Sequence, residues 1–516
     1  MIGANKVVKP WQETLKAWSH PRVITMLFLG FSAGIPILLI FSTLSAWLRE
    51  AGVERAAVTF FSWAALGYSF KFVWAPLIDR MPLPILTKLL GRRRGWMIVS
   101  QLAIMAAIFW MASIDPSVSQ SHLAAMAFAA ILLGFSSATQ DIVIDAFRIE
   151  CVEQEMQALL SATYIAGYRI GMLVAGAGSL ALAGYLGTTV DTYQYRAWQL
   201  TYYGVGCCML IGILTTLMTS EPKRGNTSQV LVYSTAEYLR FFVLFLCVVS
   251  TFALVFFYGG SITGSMKAMV TESTPIAARI IGFFLETGRL FVALICALLV
   301  ARVLVILKLV DSGMVEDTYV EPVKDFFKRY GLRTAVLLLL LVGFYRVSDI
   351  VLGVISTVFY LDLGFSKMEI AAIVKTFGLL MTIVGGFLGG MLTVRFGILK
   401  ILFTGAVLSA ATNVLFMLLA GSGPDPLLLK VVIGADNLAA GLASAAFVAF
   451  LSSLTSISFT AVQYAVFSSI MSLFPKLIGG YSGTIATSIG YPSFFLFTAL
   501  MGIPVIYLIW LVRDMK

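Results

Sequence analysis

The chain has 516 residues, of which 59% are hydrophobic and 12% are charged, and its 36 basic and 26 acidic residues give a net charge of +10. Soluble domains carry about a quarter charged residues, so this composition excludes an ordinary soluble protein. It also excludes a disordered chain, and five cysteines are too few for a disulfide scaffold. The excess Lys and Arg residues lie in short segments between apolar runs, which argues against nucleic-acid binding. The composition therefore indicates a helical membrane protein.

Fourteen apolar segments are long enough to cross a bilayer, which takes roughly 20 residues in a helix. They are continuously apolar, unlike the alternating segments of a membrane barrel, so the sequence predicts transmembrane α-helices. Numbered as spans 1 to 14, they cover residues 23–48, 57–80, 94–114, 122–148, 156–186, 197–219, 239–259, 277–307, 333–361, 368–394, 398–421, 427–455, 459–487 and 491–512. Span 1 is too long for the core of a signal peptide, and residues 11–18 before it have the spacing of a short amphipathic helix.

The distribution of Lys and Arg between the loops predicts the orientation of the chain. With the N-terminus in the cytoplasm, most of the basic loop residues fall on the cytoplasmic side. Because the number of spans is even, both termini are then cytoplasmic.

Two loops of similar sequence indicate an internal repeat. The first follows span 2 and contains APLIDR (75–80) and the basic run GRRR (91–94), whereas the second follows span 10 and reads GMLTVRFGILK (390–400). Both resemble the G-x-x-x-D-R-x-G-R-R-K signature between the second and third helices of each half of a major facilitator transporter. The first copy has Ala75 in place of the glycine, and the second has Val394 in place of the aspartate.

This repeat predicts the architecture. If each loop marks the second-to-third connection of a six-helix half, the halves are spans 1–6 and spans 9–14, and spans 7 and 8 are an inserted pair. We therefore predict an all-α polytopic membrane protein with the major facilitator fold, built from two six-helix bundles and an inserted pair, with 14 transmembrane helices. The predicted segments are a cytoplasmic N-terminal segment (1–22), the first bundle (23–222), the inserted pair (239–307), a cytoplasmic linker with an amphipathic helix (308–332) and the second bundle (333–516).

The charges of the two loops suggest a gating role. Opposite charges at the ends of neighbouring helices can pair in one gating state and separate in the other, so we interpret the loops as latches. The latch residues are Asp79, Arg80, Arg92, Arg93, Arg94, Arg395 and Lys400. For the three consecutive arginines, the alternative is that they only set the topology of the chain.

Charged residues also lie inside the predicted spans, where a charge at the bilayer centre costs roughly 2.5–3.5 kcal/mol and is expected to face protein or water. Asp141 and Asp145 of span 4 are four residues apart on one helix face, and two close carboxylates disfavour double ionisation and so favour binding of a proton. We predict proton coupling by both residues, and by Asp349 and Asp436 in the second half. The alternative for Asp145 is an ion pair with Arg148 or with the arginines of the loop.

Arg169 lies about halfway along span 5, and its planar guanidinium suits carboxylates and phosphates. Its alternative role is to neutralise Asp141. Tyr164 and Tyr168, one turn apart in the same span, can hydrogen-bond a polar solute or pack in the core. Lys71 can face a cavity or extend towards the membrane surface. The candidate counter-charges for an anionic solute are Lys71, Arg169, Arg346 and Lys375.

Two pairs of opposite charge are three residues apart and are expected to be in contact. One is Arg346 with Asp349 in span 9, and the other is Glu286 with Arg289 in the inserted pair.

The sequence lacks the groups on which most membrane-embedded enzymes depend. His20 and His122 lie at span edges, the cysteines show no metal-ligand spacing, and neither a G-x-S-x-G nor a P-loop motif occurs. We therefore predict a secondary active transporter rather than an enzyme, with no metal and no cofactor, driven by the proton gradient. The many intramembrane charges disfavour a non-transporting sensor or scaffold.

Four segments of the first half resemble the AmpG family of bacterial muropeptide permeases. They are FKFVWAPLIDR (70–80), GRRRGW (91–96), SATQDIVIDA (137–146) and GYRIGMLV (167–174). The resemblance covers about residues 23–222, and beyond them it is mostly one of layout. Gln140 and Asp141 match the family motif and are functional candidates on that ground. The acetyl-coenzyme A transporters share the Phe-Lys-Phe and Gln-Asp-Ile patterns, but the stretch 168–171 fits the permeases better.

The resemblance implies import of anhydromuropeptides (N-acetylglucosaminyl-1,6-anhydro-N-acetylmuramic acid and its peptides) from periplasm to cytoplasm, driven by protons. It also implies residence in the bacterial inner membrane, a role in cell-wall recycling and, indirectly, a role in β-lactamase induction. The expected partners are the anhydromuropeptide, protons and the lipid bilayer, with no nucleic acid, and we expect a monomer. The alternative is transport of another bulky anion such as acetyl-coenzyme A. The full predicted substrate-binding set is Lys71, Gln140, Tyr164, Tyr168, Arg169, Arg346 and Lys375.

Overall fold

The computed structural model describes residues 17–53, 68, 70–189, 191–222, 233–270, 275–479 and 481–513, and every regular element in these ranges is helical. Thirteen helices in this part of the chain are long and apolar enough to cross a membrane, and they correspond to every predicted span except span 2. Half of span 2 (residues 57–67 and 69) lies outside the described residues, as does most of the predicted amphipathic helix at 11–18. The prediction of an all-α polytopic membrane protein is confirmed.

The first half contains the helices of spans 1 to 6. Their bounds are Pro21–Ile40 and Ser42–Glu50 (span 1), Lys71–Val73 and Ala75–Arg80 (end of span 2), Arg92–Ala112 (span 3), Gln120–Cys151 (span 4), Gln157–Leu173, Val174–Gly178 and Ser179–Tyr185 (span 5) and Tyr195–Met218 (span 6), with the short helix Leu86–Leu90 before span 3.

The second half contains the helices of spans 9 to 14. Their bounds are Glu321–Phe344 and Val347–Asp362 (span 9), Lys367–Glu369, Ile370–Phe377 and Gly378–Phe396 (span 10), Ile398–Ser422 (span 11), Pro426–Leu454 (span 12), Thr460–Gly479 and Ser482–Ile489 (span 13) and Tyr491–Leu500 and Gly502–Arg513 (span 14). The helix Glu321–Phe344 is interrupted at Gly331, whose φ of 71° lies in the left-handed region that glycine adopts without a steric penalty.

Residues Ser228–Asp325 form a compact unit of their own, distinct from the unit that contains both halves. Its long helices are Thr235–Val270 and Pro275–Ile306, followed by the short helical segments Ser312–Val315 and Glu316–Val320. The side chain of Glu286 lies outside the described part of the chain, so its expected pair with Arg289 is not described. The Arg289 guanidinium lies over the Phe256 ring, 4.1 Å from its centroid.

Glycine contacts between spans 1 and 5 position the polar face of span 5. A Cβ at Gly30 or Gly34 would overlap the carbonyl oxygen of Tyr164 or Tyr168, and a Cβ at Gly167 would overlap a carbonyl oxygen of span 1. Small residues at such spacing let two helix backbones approach closely. The tight seam fixes the rotation of span 5 and therefore the direction in which the residues between these glycines project.

Irregular backbone occurs at three of the charged residues inside the spans. Lys71 begins the 3₁₀ turn Lys71–Val73, Arg346 lies at the break between two α-helices of span 9, and Lys375 lies in the π-helical segment Ile370–Phe377. Broken helices and π-helical turns recur at the binding sites of membrane transporters. The sequence predicted continuous helices at all three positions, because hydropathy does not report local hydrogen-bond pattern.

Candidate functional site

Seven of the polar residues inside the described spans share intermediate burial and interact with one another electrostatically. This midspan polar set consists of Asp141, Tyr164, Tyr168, Arg169, Arg346, Asp349 and Asp436. Its members are linked by electrostatic interactions that run from Asp141 to Tyr168 and Arg169, across to Arg346 of the second half, and on to Asp349 and Asp436. Polar groups of both halves therefore interact with one another in the middle of the spans, and each keeps some exposed surface.

In the first half, the two carboxylates of span 4 have different partners. Asp145 lies 3.8 Å from the Lys71 ammonium and 3.3 Å from the Arg148 guanidinium. Asp141 accepts a hydrogen bond of 3.3 Å from the Tyr164 hydroxyl, and its nearest ionic influences are Lys71 and Asp145. The alternative proposed for Asp145, an ion pair with Arg148, is therefore present in this conformation.

Arg148 is fully buried and contacts both halves of the chain. Its guanidinium donates to Gln157 and Ser161 of span 5 at 3.2 and 3.0 Å, and to Ser452 of span 12 at 2.9 Å. The same group lies over the Tyr464 ring of span 13, 5.2 Å from its centroid. Arg148 thus connects three helices of the bundle to its own and joins the first half to the second.

The second half has a polar cluster on spans 9, 11 and 12. Arg346 lies 3.4 Å from Asp349, as predicted from their spacing, and donates to the Ser444 hydroxyl at 2.7 Å. Asp436 accepts a hydrogen bond of 3.2 Å from the Thr412 hydroxyl. Arg346 and Asp349 retain 26% and 16% side-chain exposure, so their pairing leaves both open to solvent.

Arg169 makes no hydrogen bond or ion pair with any residue that the structure describes, although it is surrounded by protein. The charged side chain with which it interacts electrostatically is Arg346, which carries the same charge and belongs to the other half. It is not paired with Asp141, so the alternative role predicted for it is not seen. Two guanidinium groups that repel each other in this way are suited to an anion, because an anion relieves the repulsion and supplies acceptors to both.

Three predicted binding residues lie outside the midspan polar set, and they are Lys71, Gln140 and Lys375. Lys71 is buried and pairs with Asp145. Gln140 is fully buried and donates to the Ser32 hydroxyl at 2.9 Å, so its side chain is a contact between spans 4 and 1 in this conformation. Lys375 is exposed on the π-helical segment of span 10, and among the described residues it has no hydrogen-bond partner.

The first latch is a buried ionic cluster at one end of the bundle, which we call the latch end. Arg93 pairs with Asp79 at 2.6 Å and with Glu150 at 2.5 Å, and the three side chains are between 1% and 3% exposed. The second Asp79 oxygen accepts a hydrogen bond of 2.9 Å from the backbone N–H of Val462, in the first turn of span 13. Arg80 lies over the Phe459 ring of the second half. The first latch therefore closes the two halves against each other.

Arg92 and Arg94 of the first loop bind different groups from Arg93. Arg92 donates to the carbonyl of Asp79 at 2.6 Å, and Arg94 donates to the carbonyls of Thr216 and Leu217 at the end of span 6. Arg94 thus binds within the first half rather than across the latch.

The second latch has a different chemistry. A Cβ at Gly390 would lie 3.1 Å from the Ala158 carbonyl oxygen, so spans 10 and 5 are in close contact there. Arg395 lies over the Phe396 ring, and Lys400 is exposed. Because Val394 replaces the aspartate, the second latch has no carboxylate at this position. Its contact with span 5 is instead a close approach at Gly390.

Similarity to known proteins agrees with this arrangement. The chain is 31% identical over 494 residues to the protein named "Putative transporter AmpG 4" of Rickettsia conorii, and the match covers 96% of this chain and 97% of that protein. The chain belongs to the AmpG family. It is also 27% identical to the anhydromuropeptide permease of Escherichia coli strain K12 over 501 residues, which are 97% of this chain and 81% of that protein. A family model described as acetyl-coenzyme A transporter 1 matches residues 23–186.

The fold of this AmpG-family protein is that of a major facilitator transporter. The proton:xylose symporter XylE in complex with 6-bromo-6-deoxy-D-glucose superimposes with a TM-score of 0.58 at 10% identity, covering 98% of this chain and 96% of that one. The predicted fold class is confirmed by this likeness.

Two acidic residues that bind the arginines of the first latch in this AmpG-family protein were not predicted from the sequence. Glu150 supplies the second carboxylate for Arg93, and Glu221 accepts hydrogen bonds from the backbone N–H groups of Arg93 and Arg94 at the start of span 3. Burial raises the pKa of Glu221, and the bonds from these two N–H groups act against that shift. One signal was available: residues 75–94 contain four arginines and a single acid, so further acids had to come from elsewhere.

Proposed function

We propose that this AmpG-family protein imports anhydromuropeptides from the periplasm into the cytoplasm by proton-coupled alternating access, as a step in cell-wall recycling and indirectly in β-lactamase induction. It acts as a monomer in the bacterial inner membrane with both termini in the cytoplasm. The observation that carries the proposal is the guanidinium of Arg169, which bonds to no described residue and interacts electrostatically with Arg346 of the other half. The similarity to the Escherichia coli anhydromuropeptide permease names the anion.

The substrate chemistry fits this site. An anhydromuropeptide carries carboxylates on its peptide and hydroxyl and amide groups on its sugars. A carboxylate between Arg169 and Arg346 would receive hydrogen bonds from both halves, which favours closure of the halves around it. Tyr164 and Tyr168 present hydroxyl groups beside Arg169 for the uncharged parts of the substrate, and Lys375 is a further cation on span 10.

Proton coupling is assigned first to Asp141. Asp145 is held in ion pairs with both Lys71 and Arg148. Asp141 has only the Tyr164 hydroxyl within hydrogen-bond distance and is partly exposed, so it can take up and release a proton with less disturbance of its neighbours. Asp349 and Asp436 are the corresponding candidates in the second half.

Opening at the latch end would break a defined set of contacts. These are the bond from Val462 to Asp79, the bond from Arg148 to Ser452, and the contact of Arg80 with Phe459. The buried pairs of Arg93 with Asp79 and Glu150 lie within the first half and can persist. Opening would therefore cost individual contacts between the two halves, whereas the ion-pair cluster of Arg93 stays intact in the first half.

The test is uptake of labelled anhydromuropeptide into proteoliposomes that contain the full-length protein. We expect an imposed pH gradient, acidic outside, to accelerate uptake, and a protonophore to abolish the acceleration. Excess unlabelled anhydromuropeptide should compete, whereas acetyl-coenzyme A should not. Equal uptake with and without the gradient contradicts proton coupling, and inhibition by acetyl-coenzyme A alone contradicts the substrate.

A further inference from the structure

The inserted unit contains a cavity at one end of its helix pair. Its volume is about 350 Å³, within the ~300–1,000 Å³ typical of small-ligand sites. It lies between the start of the helix Thr235–Val270 and the chain that follows the helix Pro275–Ile306. Four of its lining residues carry charge, and they are Glu237, Arg240, Lys308 and Asp311. Two cations and two anions thus surround one small space.

The two carboxylates are held in place by the backbone. Glu237 accepts a hydrogen bond from the N–H of Ser234 at 2.6 Å, and Ser234 accepts one from the N–H of Glu237, an arrangement that caps the helix start. Asp311 accepts from the N–H of Met314 at 2.9 Å. These backbone bonds use Oε2 of Glu237 and Oδ1 of Asp311, so neither of them occupies the second oxygen of its carboxylate.

The two cations are not bound to these carboxylates. Arg240 interacts with Glu237 only through longer-range electrostatics, and neither Arg240 nor Lys308 forms an ion pair or hydrogen bond with a side chain in the described ranges. Both are exposed. Groups of opposite charge that line the same cavity without meeting leave room for a ligand that carries both charges.

The backbone at Lys308 is unusual. Its φ of 55° is in the left-handed region, and within the described ranges it is the sole residue other than glycine with a positive φ. The residue ends the helix Pro275–Ile306, a position where glycine is common because it avoids a steric penalty. A lysine here accepts that penalty and places an ammonium at the cavity.

The surroundings of the cavity are apolar and face outward. The two long helices of the unit are the least buried of the candidate membrane spans, with 17% and 11% of their apolar windows buried. Near the cavity, Leu239 and Val243 on one helix and Val303 and Ile306 on the other are exposed. A lipid bound here could place its headgroup at the charged end of the helix pair and its acyl chains along these exposed apolar residues.

We propose that this cavity binds the headgroup of a phospholipid that carries a phosphodiester and a primary ammonium, that is, a phosphatidylethanolamine. The phosphate accepts charge-assisted hydrogen bonds from Arg240 and Lys308, and the ammonium donates to the second oxygens of Glu237 and Asp311. A choline headgroup has no N–H to donate, and a glycerol headgroup would bring a net negative charge beside two carboxylates. The overall neutral lining matches a zwitterion.

The test uses the full-length protein in detergent, titrated with short-chain phosphatidylethanolamine, phosphatidylcholine and phosphatidylglycerol, with bound lipid counted by native mass spectrometry. We expect phosphatidylethanolamine to bind at least ~10-fold more tightly than the other two. The double variant Arg240→Gln, Lys308→Gln should lose this preference. The matched control, Lys324→Gln with Lys328→Gln, removes two exposed lysines outside the cavity and should keep it.

Two further variants keep the test decisive. Lys308→Gly removes the cation and the backbone penalty together, so we expect it to fold at least as stably as the wild type and still bind the lipid more weakly. Glu237→Gln keeps the helix cap and should reduce the preference over phosphatidylcholine. Equal binding of all three lipids, or equal loss in the lysine control, overturns the proposal. Competition by free phosphoethanolamine or inorganic phosphate at equal affinity assigns the site to a soluble ligand and overturns it as well.

Discussion

The ionic groups at the latch end and those in the midspan polar set are arranged in opposite ways. At the latch end, Arg93 is 1% exposed and two carboxylates share its guanidinium. In the middle of the bundle, Arg169 has no ionic partner among the described residues, and Arg346 keeps 26% of its side-chain surface exposed. Arginine is therefore paired and buried in one region, and unpaired or partly exposed in the other.

This difference in pairing predicts that substitutions in the two regions affect different properties, namely stability at the latch end and transport in the midspan polar set. A buried charge that loses its partner destabilises a fold by several kcal/mol, whereas a solvent-reachable charge can be changed at little cost. The latch cluster should therefore respond to substitution through unfolding and gating, and the midspan polar set through substrate and proton binding. Each variant below tests on which side of this division a residue lies.

The largest effect is expected at Arg93. Arg93→Gln leaves Asp79 and Glu150 as buried carboxylates without their shared cation, which costs roughly 3–5 kcal/mol of unfolding free energy. Thermal unfolding in detergent should show a large drop in the midpoint temperature. The control is Arg94→Gln, which loses bonds to two carbonyl groups and no ion pair with a described carboxylate. A larger drop for Arg94→Gln would show that the ionic cluster is not what holds this end.

The next effect compares Asp145 with Asp141. Asp145→Asn removes the ionic partner of the buried Arg148 and of Lys71, so we expect a loss of about 1–3 kcal/mol. Asp141→Asn should leave stability nearly unchanged and abolish the response of anhydromuropeptide uptake to the pH gradient. Thermal unfolding and proteoliposome uptake, measured on both variants, give the two readouts. Full gradient-driven uptake by Asp141→Asn would contradict the assignment of the proton to this residue.

Asp79→Asn should shift the gate rather than unfold the protein. The carboxylate loses its charge towards Arg93 and towards the N–H of Val462 in the other half, and hydrogen bonds to charged groups contribute about 1.5–3 kcal/mol. Electron-spin distances between labels at the exposed residues Leu89 and Ile457 should report a larger open population at the latch end. Lys400→Gln, in the exposed part of the second latch, should leave the distances unchanged.

Much of this molecule is predictable from sequence, for a physical reason. Helices that cross a bilayer must be apolar over about 20 residues, so hydropathy along the chain predicted the spans. The repeated loop sequences predicted the two halves and the latch loop. The pair of Arg346 with Asp349 followed from helical spacing alone. Gln140 belongs to a matching motif, yet its amide is a buried contact with Ser32, because a motif does not say which way a side chain points.

Contacts between segments that are distant in the chain could not be predicted from the sequence. Nothing in the local sequence pairs Arg93 with Glu150, because that pair depends on how spans 3 and 4 pack within the first half. Nor does it direct Asp79 to the start of span 13, because that contact depends on how the two halves meet. The breaks at Lys71, Arg346 and Lys375 were also missed, because apolar residues dominate on both sides of each. The charge balance of the first loop is one signal in the sequence that could have indicated these contacts. Four arginines with a single acid in residues 75–94 imply that acidic residues from other segments pair with them.

The smallest change in stability, with a clear functional effect, is expected at Arg169. Because Arg169 bonds to no described residue, Arg169→Gln should change the unfolding free energy by less than about 0.5 kcal/mol. Uptake of anhydromuropeptide should nevertheless require a substrate concentration at least ~10-fold higher, since one of the two cations proposed to bind the anion is lost. Arg169→Lys keeps the charge but not the planar fork, so it should recover part of the affinity. If Arg169→Gln unfolds the protein and leaves the substrate concentration dependence intact, Arg169 is a structural residue and the division between the two regions fails at its central point.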